Sequence, residues 1–299
     1  MNRVIALKVD VDTYAGMQHG VPRLAALFGT HGVRASFFVP MGKDHTGRTV
    51  KRVFTRRGFL SKAGRVGVVS TYGIKTLLYG LLLPGPEIAL GNAEMLRRLA
   101  HEGHEVGIHG LDHVYWHDRA RHLDRTRTEK ILSRAVETYA KILGEQPLSF
   151  AAPGWAINSH ALAFFEKHRF IYSSDTRGHS PFYPRIDGRS FTVLQLPTTL
   201  PTVDEMVGLE ADNEQWMARY FLSQLTDGLN VLTVHAELEG KRWSGFLGGF
   251  ITGALNAGYR VQRLIDIASA LREPSAIPTC DITYGLVRGR AGEVALQKS

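Results

Sequence analysis

Two aspartates stand at the end of a segment that reads as a buried strand. Asp10 and Asp12 follow the largely apolar run from Val4 to Val9 and are separated by one valine. Such a run is typical of a strand covered on both faces of a parallel sheet. Residues two apart in a strand point the same way, so both carboxylates can address one centre. Because one acid would suffice to cap the next helix, the pair favours divided roles, one carboxylate as metal ligand and the other as proton acceptor from water.

Histidines that could complete such a site lie in the stretches HEVGIHGLDH and LTVHAE. His109 closes a predicted strand, and His113 follows four residues later, so on a helical turn both imidazoles face one side and can bind one metal. His235 ends another predicted strand, where it could protonate a leaving amine. Asp175 follows a further strand and could orient an imidazole or begin a turn. Four other residues are interpreted as structural or solvated: Glu237, His160, His168 and His179.

The elements that must position these side chains alternate between strand and helix about seven times. This alternation predicts an α/β fold with a parallel sheet and right-handed crossovers, either closed as a barrel or open and doubly wound. We favour a (β/α) barrel of about seven parallel strands, because the polar candidates lie at the carboxyl ends of different strands. An open sheet would place its site at one switch point, and the chain contains no GxGxxG or phosphate-loop motif.

One inserted segment, from about residue 43 to residue 89, interrupts the alternation after the second predicted strand. Nine basic side chains and one acidic side chain lie between Lys43 and Lys75, which accounts for the whole net charge of +8. The following apolar stretch places four leucines on one helical stripe, with Tyr72 nearby. The stripe consists of Leu77, Leu78, Leu81 and Leu82.

Composition limits the class of protein. With 299 residues and 44% hydrophobic residues, the chain can form a single domain over residues 1–273, followed by a tail over 274–299. A single cysteine, Cys280, excludes an internal disulfide framework and a cysteine-rich zinc site. The first residues lack a signal-peptide pattern, and no apolar stretch is long enough to span a bilayer, so we expect a cytoplasmic location without a transmembrane helix.

The motifs VDVDT, HGLDH, AAPGW, SSDTRG and LTVHAE, in this order, resemble those of the polysaccharide deacetylase family, also called the NodB homology family. The resemblance implies a distorted (β/α) barrel and one divalent metal ion, with zinc, cobalt, manganese and iron equally suited. It implies that Asp10 is the general base and His235 the general acid, with the Asp175 loop supporting the acid. It assigns the metal to Asp12, His109 and His113, and the substrate or oxyanion contacts to Pro153, Gly154 and Trp155.

Two departures from the family pattern bear on these roles. The usual adjacent aspartates are spread to Asp-Val-Asp, which leaves the division of base and ligand to be settled. The arginine usual in the proline loop is missing from AAPGW, and Arg177 is a candidate for the replacement cation.

Other stretches, including GVPRL, LPTTLPTVDE and TVHAELEG, are similar to one branch of the family. That branch deformylates a formamido-arabinose carried on a polyprenyl phosphate at the inner face of the bacterial inner membrane, in the lipid A modification that gives polymyxin resistance. The resemblance implies a peripheral contact with that membrane surface, to which the inserted segment is suited. The predicted interface comprises Arg52, Arg56, Arg57, Tyr72 and the four leucines.

Alternative functions differ in their chemistry. A metal-dependent N-deacetylase of another amino sugar or glycan would use the same residues. A nucleic-acid-binding protein is suggested by the isoelectric point of about 9.6. Because the basic residues are confined to one segment without interleaved aromatic side chains, we expect no nucleic acid partner.

Overall fold

The computed structural model describes residues 2–51, 73–208, 213–271 and 276–298. Its strands are β1 (Val4–Asp10), β2 (Ser36–Val39), β3 (Glu105–Ile108), β4 (Ser149–Phe150), β5 (Tyr172–Ser173), β6 (Tyr183–Ile186), β7 (Arg189–Ser190), β8 (Leu194–Gln195), β9 (Leu229–His235), β10 (Arg260–Val261), β11 (Thr279–Leu286) and β12 (Glu293–Lys298). Its α-helices are α1 (Val21–Thr30), α2 (Ile74–Leu78), α3 (Ala93–His101), α4 (His113–Arg119), α5 (Arg125–Leu143), α6 (Ser159–Lys167), α7 (Val203–Met206), α8 (Glu214–Ser223), α9 (Ser244–Asn256) and α10 (Leu264–Ala270).

A row of seven parallel strands confirms the predicted barrel-like sheet. The row runs β9-β1-β2-β3-β4-β5-β8, and β10 adds a short parallel pairing to the first half of β1. From β1 to β8 the order follows the chain, and β9 returns beside β1, so the row lacks the reversal that defines a doubly wound sheet. At its two ends, the amides of Thr199 and Leu200 both donate to the carbonyl of Val231 at 3.2 Å, so the ends approach each other without a regular ladder. The barrel is therefore distorted.

Alternating residues of β1 supply two separate cores. Ile5, Leu7 and Val9 belong to the larger core, together with the aromatic side chains of the surrounding helices. Val4 and Ala6 belong to a smaller core enclosed by the sheet, with Phe38, Ala151, Tyr172, Leu196 and Val231. Because side chains alternate along a strand, the inward face of β1 continues with Lys8 and Asp10. The barrel interior is therefore apolar at the amino ends of the strands and charged at the carboxyl end of β1.

Capping residues set the helix boundaries. Asn158 caps α6, as predicted, by accepting a hydrogen bond from the Ala161 amide at 2.8 Å. Helix α5 begins at Arg125 rather than near Thr128, because Asp124 accepts a hydrogen bond from the Arg127 amide at 2.8 Å. These caps fix the residue at which each helix begins.

The inserted segment differs from the predicted amphipathic helix. Helix α2 ends at Leu78, and the prediction of a helical stripe through Leu82 is wrong. Gly80 adopts a φ of 78°, and the amides of the next three residues all donate to the Leu78 carbonyl, which forms a tight turn. Arg52, Arg56, Arg57 and Tyr72 lie outside the described residues. Within the described ranges, no helix combines the length and apolar character that crossing a bilayer requires.

A second sheet lies beside the barrel. It has four strands in the order β12-β11-β6-β7, in which β11 and β12 form an antiparallel hairpin and β11 pairs with β6 in parallel. Most of the tail beyond residue 274, which carries no element in the sequence analysis, is thus an ordered hairpin. The amide of Arg177 donates to the Ala295 carbonyl at 2.9 Å and joins this hairpin to the segment that follows β5.

Candidate active site

Three side chains with metal-ligand chemistry converge at the carboxyl end of the barrel. Asp12 lies just beyond β1, His109 directly follows β3, and His113 is the first residue of α4. Asp12 Oδ1 is 3.2 Å from His113 Nε2 and 3.5 Å from His109 Nε2. The candidate ligand atoms of the three residues all lie within 4.8 Å of one another. The structure therefore brings together the three residues predicted to hold a metal.

The hydrogen bonding of His109 fits this set to a cation. His109 Nδ1 lies 2.7 Å from the carbonyl oxygen of Ala151. A carbonyl only accepts, so Nδ1 carries a proton, and Nε2, which faces Asp12, is the nitrogen left for a metal ion. A cation shared by Asp12 Oδ1 and His109 Nε2, whether a proton or a metal ion, holds the two atoms together. Two imidazoles and one carboxylate suit several divalent transition metals equally well.

The electrostatics of Asp12 point the same way. Burial opposes a charge on its carboxylate, but His113 and His109 outweigh burial and hold the pKa of Asp12 well below its ordinary value. Asp12 is thus an ionised carboxylate, as a metal ligand must be.

A buried glutamate, interpreted from sequence as structural or solvated, holds the loop that carries Asp12. Glu237 Oε1 accepts hydrogen bonds from Thr13 Oγ1 at 2.7 Å, the Thr13 amide at 2.9 Å and the Asp12 amide at 3.1 Å. Burial and then the charge of Asp12 raise the pKa of Glu237. A Cβ on Gly16 would lie 1.9 Å from Glu237 Oε1, so a side chain there would displace the Glu237 carboxylate. Glu237 therefore connects the segment after β9 to the loop that carries Asp12, a candidate metal ligand.

The predicted base and acid lie on adjacent strands. Asp10 and His235 are direct partners in the parallel β1–β9 ladder, and the Ala236 amide donates to the Asp10 carbonyl at 3.1 Å. Asp10 is buried at 4% exposure, whereas 14% of the His235 side chain is exposed. Asp10 Oδ2 pairs with Lys8 Nζ at 2.6 Å. Asp10 and His235 thus place a buried carboxylate beside an imidazole at the rim of the barrel.

Two carboxyl groups surround His235. Asp204 Oδ1 lies 4.0 Å from His235 Nδ1, and Glu239 Oε2 accepts a hydrogen bond from the His235 amide at 2.8 Å. Burial raises the pKa of Glu239 to about 8, so Glu239 is largely neutral at pH 7. Asp204 is consequently the carboxylate best placed to stabilise a charged imidazole. Asp204 was missed from sequence because it lies in α7, beyond the end of β8, and not at the end of a strand.

Asp175 occupies a different position from the one expected of a support for His235. Its Oδ2 accepts a hydrogen bond from Gln195 Nε2 at 2.9 Å, and its amide donates to Gln195 Oε1 at 3.1 Å. Burial raises the pKa of Asp175 to about 6, against the hydrogen bonds of Gln195 and Ser173 and the charge of Lys8. Its described contacts therefore connect β5 with β8 rather than with His235.

The predicted proline turn, Pro153–Trp155, is strained. Gly154 has a φ of 62°, and Trp155 has a φ of 51°, a region that costs a tryptophan ~1–3 kcal/mol. The amides of Trp155 and Ala156 close the turn on the carbonyls of Ala152 and Pro153. The Trp155 indole then donates to Thr198 Oγ1 at 3.1 Å. The Trp155 amide, at one of the three residues predicted to contact an oxyanion, thus already donates a hydrogen bond within the turn.

Two arginines pack around the Trp155 ring. Arg290, from the turn between β11 and β12, lies 4.3 Å from the ring centroid, and Arg177 lies 5.3 Å from it. Arg177 binds Glu205 and the Leu200 carbonyl, and Arg290 Nη1 lies 3.6 Å from Glu205. The carboxyl-terminal hairpin, to which no role was assigned from sequence, therefore contributes a side chain to the rim of the site.

Comparisons with known proteins agree with this geometry. The profile of the family described as "Polysaccharide deacetylase" matches residues 2–172. A protein of Shewanella sediminis is 35% identical over 237 residues, which are 79% of this chain and 76% of that protein. A protein of Wigglesworthia glossinidia brevipalpis is 29% identical over 286 residues, 95% of this chain and 98% of that protein. Both are named "Probable 4-deoxy-4-formamido-L-arabinose-phosphoundecaprenol deformylase ArnD".

Solved structures support the fold. The crystal structure of a probable polysaccharide deacetylase from Pseudomonas aeruginosa PAO1 superimposes with a TM-score of 0.60 at 15% sequence identity, and covers 91% of this chain and 93% of that one. At that identity the likeness concerns the fold alone. The family profile covers more than half of the chain, and a relative above 30% identity covers more than two thirds of both chains. The chain belongs to the polysaccharide deacetylase family.

Proposed function

We propose that this protein hydrolyses the formamide of 4-deoxy-4-formamido-L-arabinose-phosphoundecaprenol. Water adds to the formyl carbon, the C–N bond breaks, and formate and the 4-amino sugar lipid are released. The freed amino sugar would serve lipid A modification and polymyxin resistance. The observation that carries the proposal is that Asp12, His109 and His113 form one candidate ligand set beside Asp10 and His235. Over most of its length, the chain is also similar to relatives named as deformylases of this substrate.

The proposed chemistry divides among the residues by position. A divalent ion held by Asp12, His109 and His113 would polarise the formyl oxygen and acidify water. Asp10 takes the proton of the attacking water, since Asp10 Oδ1 is buried and makes no hydrogen bond in the described structure. His235, on the neighbouring strand, donates a proton to the departing nitrogen.

Two substitutions separate these roles. Asp12→Ala should lose bound metal and formate release together, because it removes the only carboxylate of the ligand set. His235→Ala should retain the metal and lose turnover by ~10²–10⁴-fold, the usual contribution of a general acid. Metal content by elemental analysis and formate release are measured on the same preparations. Full activity in His235→Ala would exclude this histidine as the acid.

We further propose that the protein works as a peripheral enzyme at the cytoplasmic surface of the inner membrane. The described part of the inserted segment exposes three successive leucines in the turn after α2: Leu81 (46%), Leu82 (80%) and Leu83 (37%). A leucine moved from water into lipid contributes ~1.5–3 kcal/mol. Basic residues near an anionic surface add ~1 kcal/mol each. Lys43 and Lys75, both exposed, lie in the same segment and favour anionic lipid.

Vesicle binding tests this contact. The triple variant Leu81→Ser/Leu82→Ser/Leu83→Ser should bind vesicles of anionic phospholipid at least tenfold more weakly, by the loss of apolar surface. Its activity on a soluble short-chain analogue should persist. Leu286→Ser, at 77% exposure in the carboxyl-terminal hairpin, is the matched control. Equal vesicle binding by the triple variant and the control would exclude the leucine turn as the membrane contact.

A further inference from the structure

Lys8 is a lysine enclosed within the barrel. Its side chain has 0% exposure, and it lies two residues before Asp10 on the inward face of β1. Its neighbours along that face, Val4 and Ala6, pack in the apolar interior. Lys8 has no role predicted from the sequence, because a single lysine does not interrupt the apolar run that predicts the strand.

Asp10 is the carboxylate in direct contact with the Lys8 ammonium, and the charge of Lys8 also acts on the buried Asp175. Lys8 Nζ lies 2.6 Å from Asp10 Oδ2, the one ion pair of this lysine within the described ranges. The rings of Trp155 and Phe38 enclose the ammonium at 5.3 and 6.0 Å from their centroids. An ammonium in such a place is costly unless it is paired. A buried lysine at this position therefore suggests a role that an apolar residue could not fill.

The ion pair distinguishes the two oxygens of Asp10. Oδ2 is engaged by Lys8, whereas Oδ1 is buried without a hydrogen-bond partner in the described structure. A carboxylate fixed through one oxygen keeps a single orientation, so the other oxygen has a defined direction. Arg177, the candidate replacement cation, is instead engaged by Glu205 and the Leu200 carbonyl.

We propose that Lys8 is a positioning residue that holds Oδ2 of Asp10 and thereby aims Oδ1 at the attacking water. The inference rests on the proposed role of Asp10 as the base. Lys8 acts through Asp10 and need not touch the substrate.

A double-mutant cycle on the full-length metal-loaded enzyme tests the proposal. Lys8→Met should lower kcat by ~10²-fold, the usual effect of a misplaced catalytic group, with KM within about threefold of wild type. Lys8→Arg, which keeps a cation, should recover to within about tenfold of wild type. In an Asp10→Asn background, Lys8→Met should change kcat by less than about twofold. Lys141→Met, an exposed lysine of α5, is the control for loss of charge.

Crystal structures supply a readout that is independent of the substrate. In Lys8→Met the Asp10 carboxylate should shift by more than ~0.5 Å, the tolerance of a productive site, while Asp12, His109 and His113 keep their positions. An unmoved Asp10 carboxylate overturns the proposal, whichever amide the enzyme cleaves. Equal losses from Lys8→Met in the wild-type and Asp10→Asn backgrounds also overturn it, as does failure of Lys8→Arg to improve on Lys8→Met. If wild type released no formate, the proposed function would fail and the crystallographic result would still decide the role of Lys8.

Discussion

Replacing Glu237 tests how the loop that carries Asp12, a candidate metal ligand, is held in place. Glu237→Ala removes the acceptor of three hydrogen bonds and leaves the Asp12 and Thr13 amides and the Thr13 hydroxyl without it. A buried polar group without a partner costs ~1–3 kcal/mol, so with three such groups we expect the free energy of unfolding to fall by at least about 3 kcal/mol. That is a large part of the ~5–15 kcal/mol of a typical domain.

The same change should weaken the site. We expect the metal affinity of Glu237→Ala to fall ~10–100-fold, because a ligand loses the group that orients it. Glu237→Gln keeps an acceptor oxygen, and since burial raises the pKa of Glu237, a neutral amide is a close substitute; its stability should stay within ~1 kcal/mol of wild type. The assays are urea unfolding and chelator competition, with the exposed Glu145→Ala as control. Unchanged stability and metal affinity in Glu237→Ala would refute this reasoning.

Three further predictions concern the same rim. Gly16→Ala places a Cβ against Glu237 and should lower metal affinity at least ~10-fold in chelator competition, whereas a wild-type value would show that the loop can yield. Burial raises the pKa of Glu239 from 4.5 to about 8, so the native state binds this proton more tightly than the unfolded chain, and its contribution to stability falls by up to ~5 kcal/mol as pH rises through that window. Glu239→Gln should flatten this part of the stability profile in urea unfolding, and an unaltered slope would contradict the shift. Asp204→Asn removes the carboxylate beside His235 and should lower kcat about tenfold with little change in KM, and an unchanged kcat would exclude a supporting role.

Much of the fold follows from local sequence patterns. The strand ending at Asp10, the cap at Asn158 and the strand ending at His235 all lie where periodicity and capping residues predict them. The carboxyl-terminal hairpin was not predicted, although Cys280, Ile282, Tyr284 and Leu286 alternate along β11, and its parallel partner β6 is distant in the sequence. The helix expected through Leu82 ends early because Gly80 takes a left-handed conformation that the apolar stripe does not encode.

The site divides along similar lines. Asp12 and His109 could be predicted because each follows a strand and the barrel brings such ends together, and His113 because it lies four residues after His109. Lys8, Glu237 and the other buried supporting residues could not, because their roles arise from contacts between distant segments. One signal was present: Lys8 shares the two-residue period of Asp10, which places both on one face of β1.

The proposed activity of this chain is the removal of formate from a lipid-linked amino sugar. The most direct test supplies purified protein with the formamido-arabinosyl phosphopolyprenol and its acetamido counterpart in one reaction, and measures formate and acetate together. We expect formate release, abolished by a chelator, with kcat/KM at least ~10-fold higher for the formyl substrate, because the site discriminates against an added methyl group. Acetate release at an equal or greater rate would contradict the deformylase claim and identify the enzyme as a deacetylase.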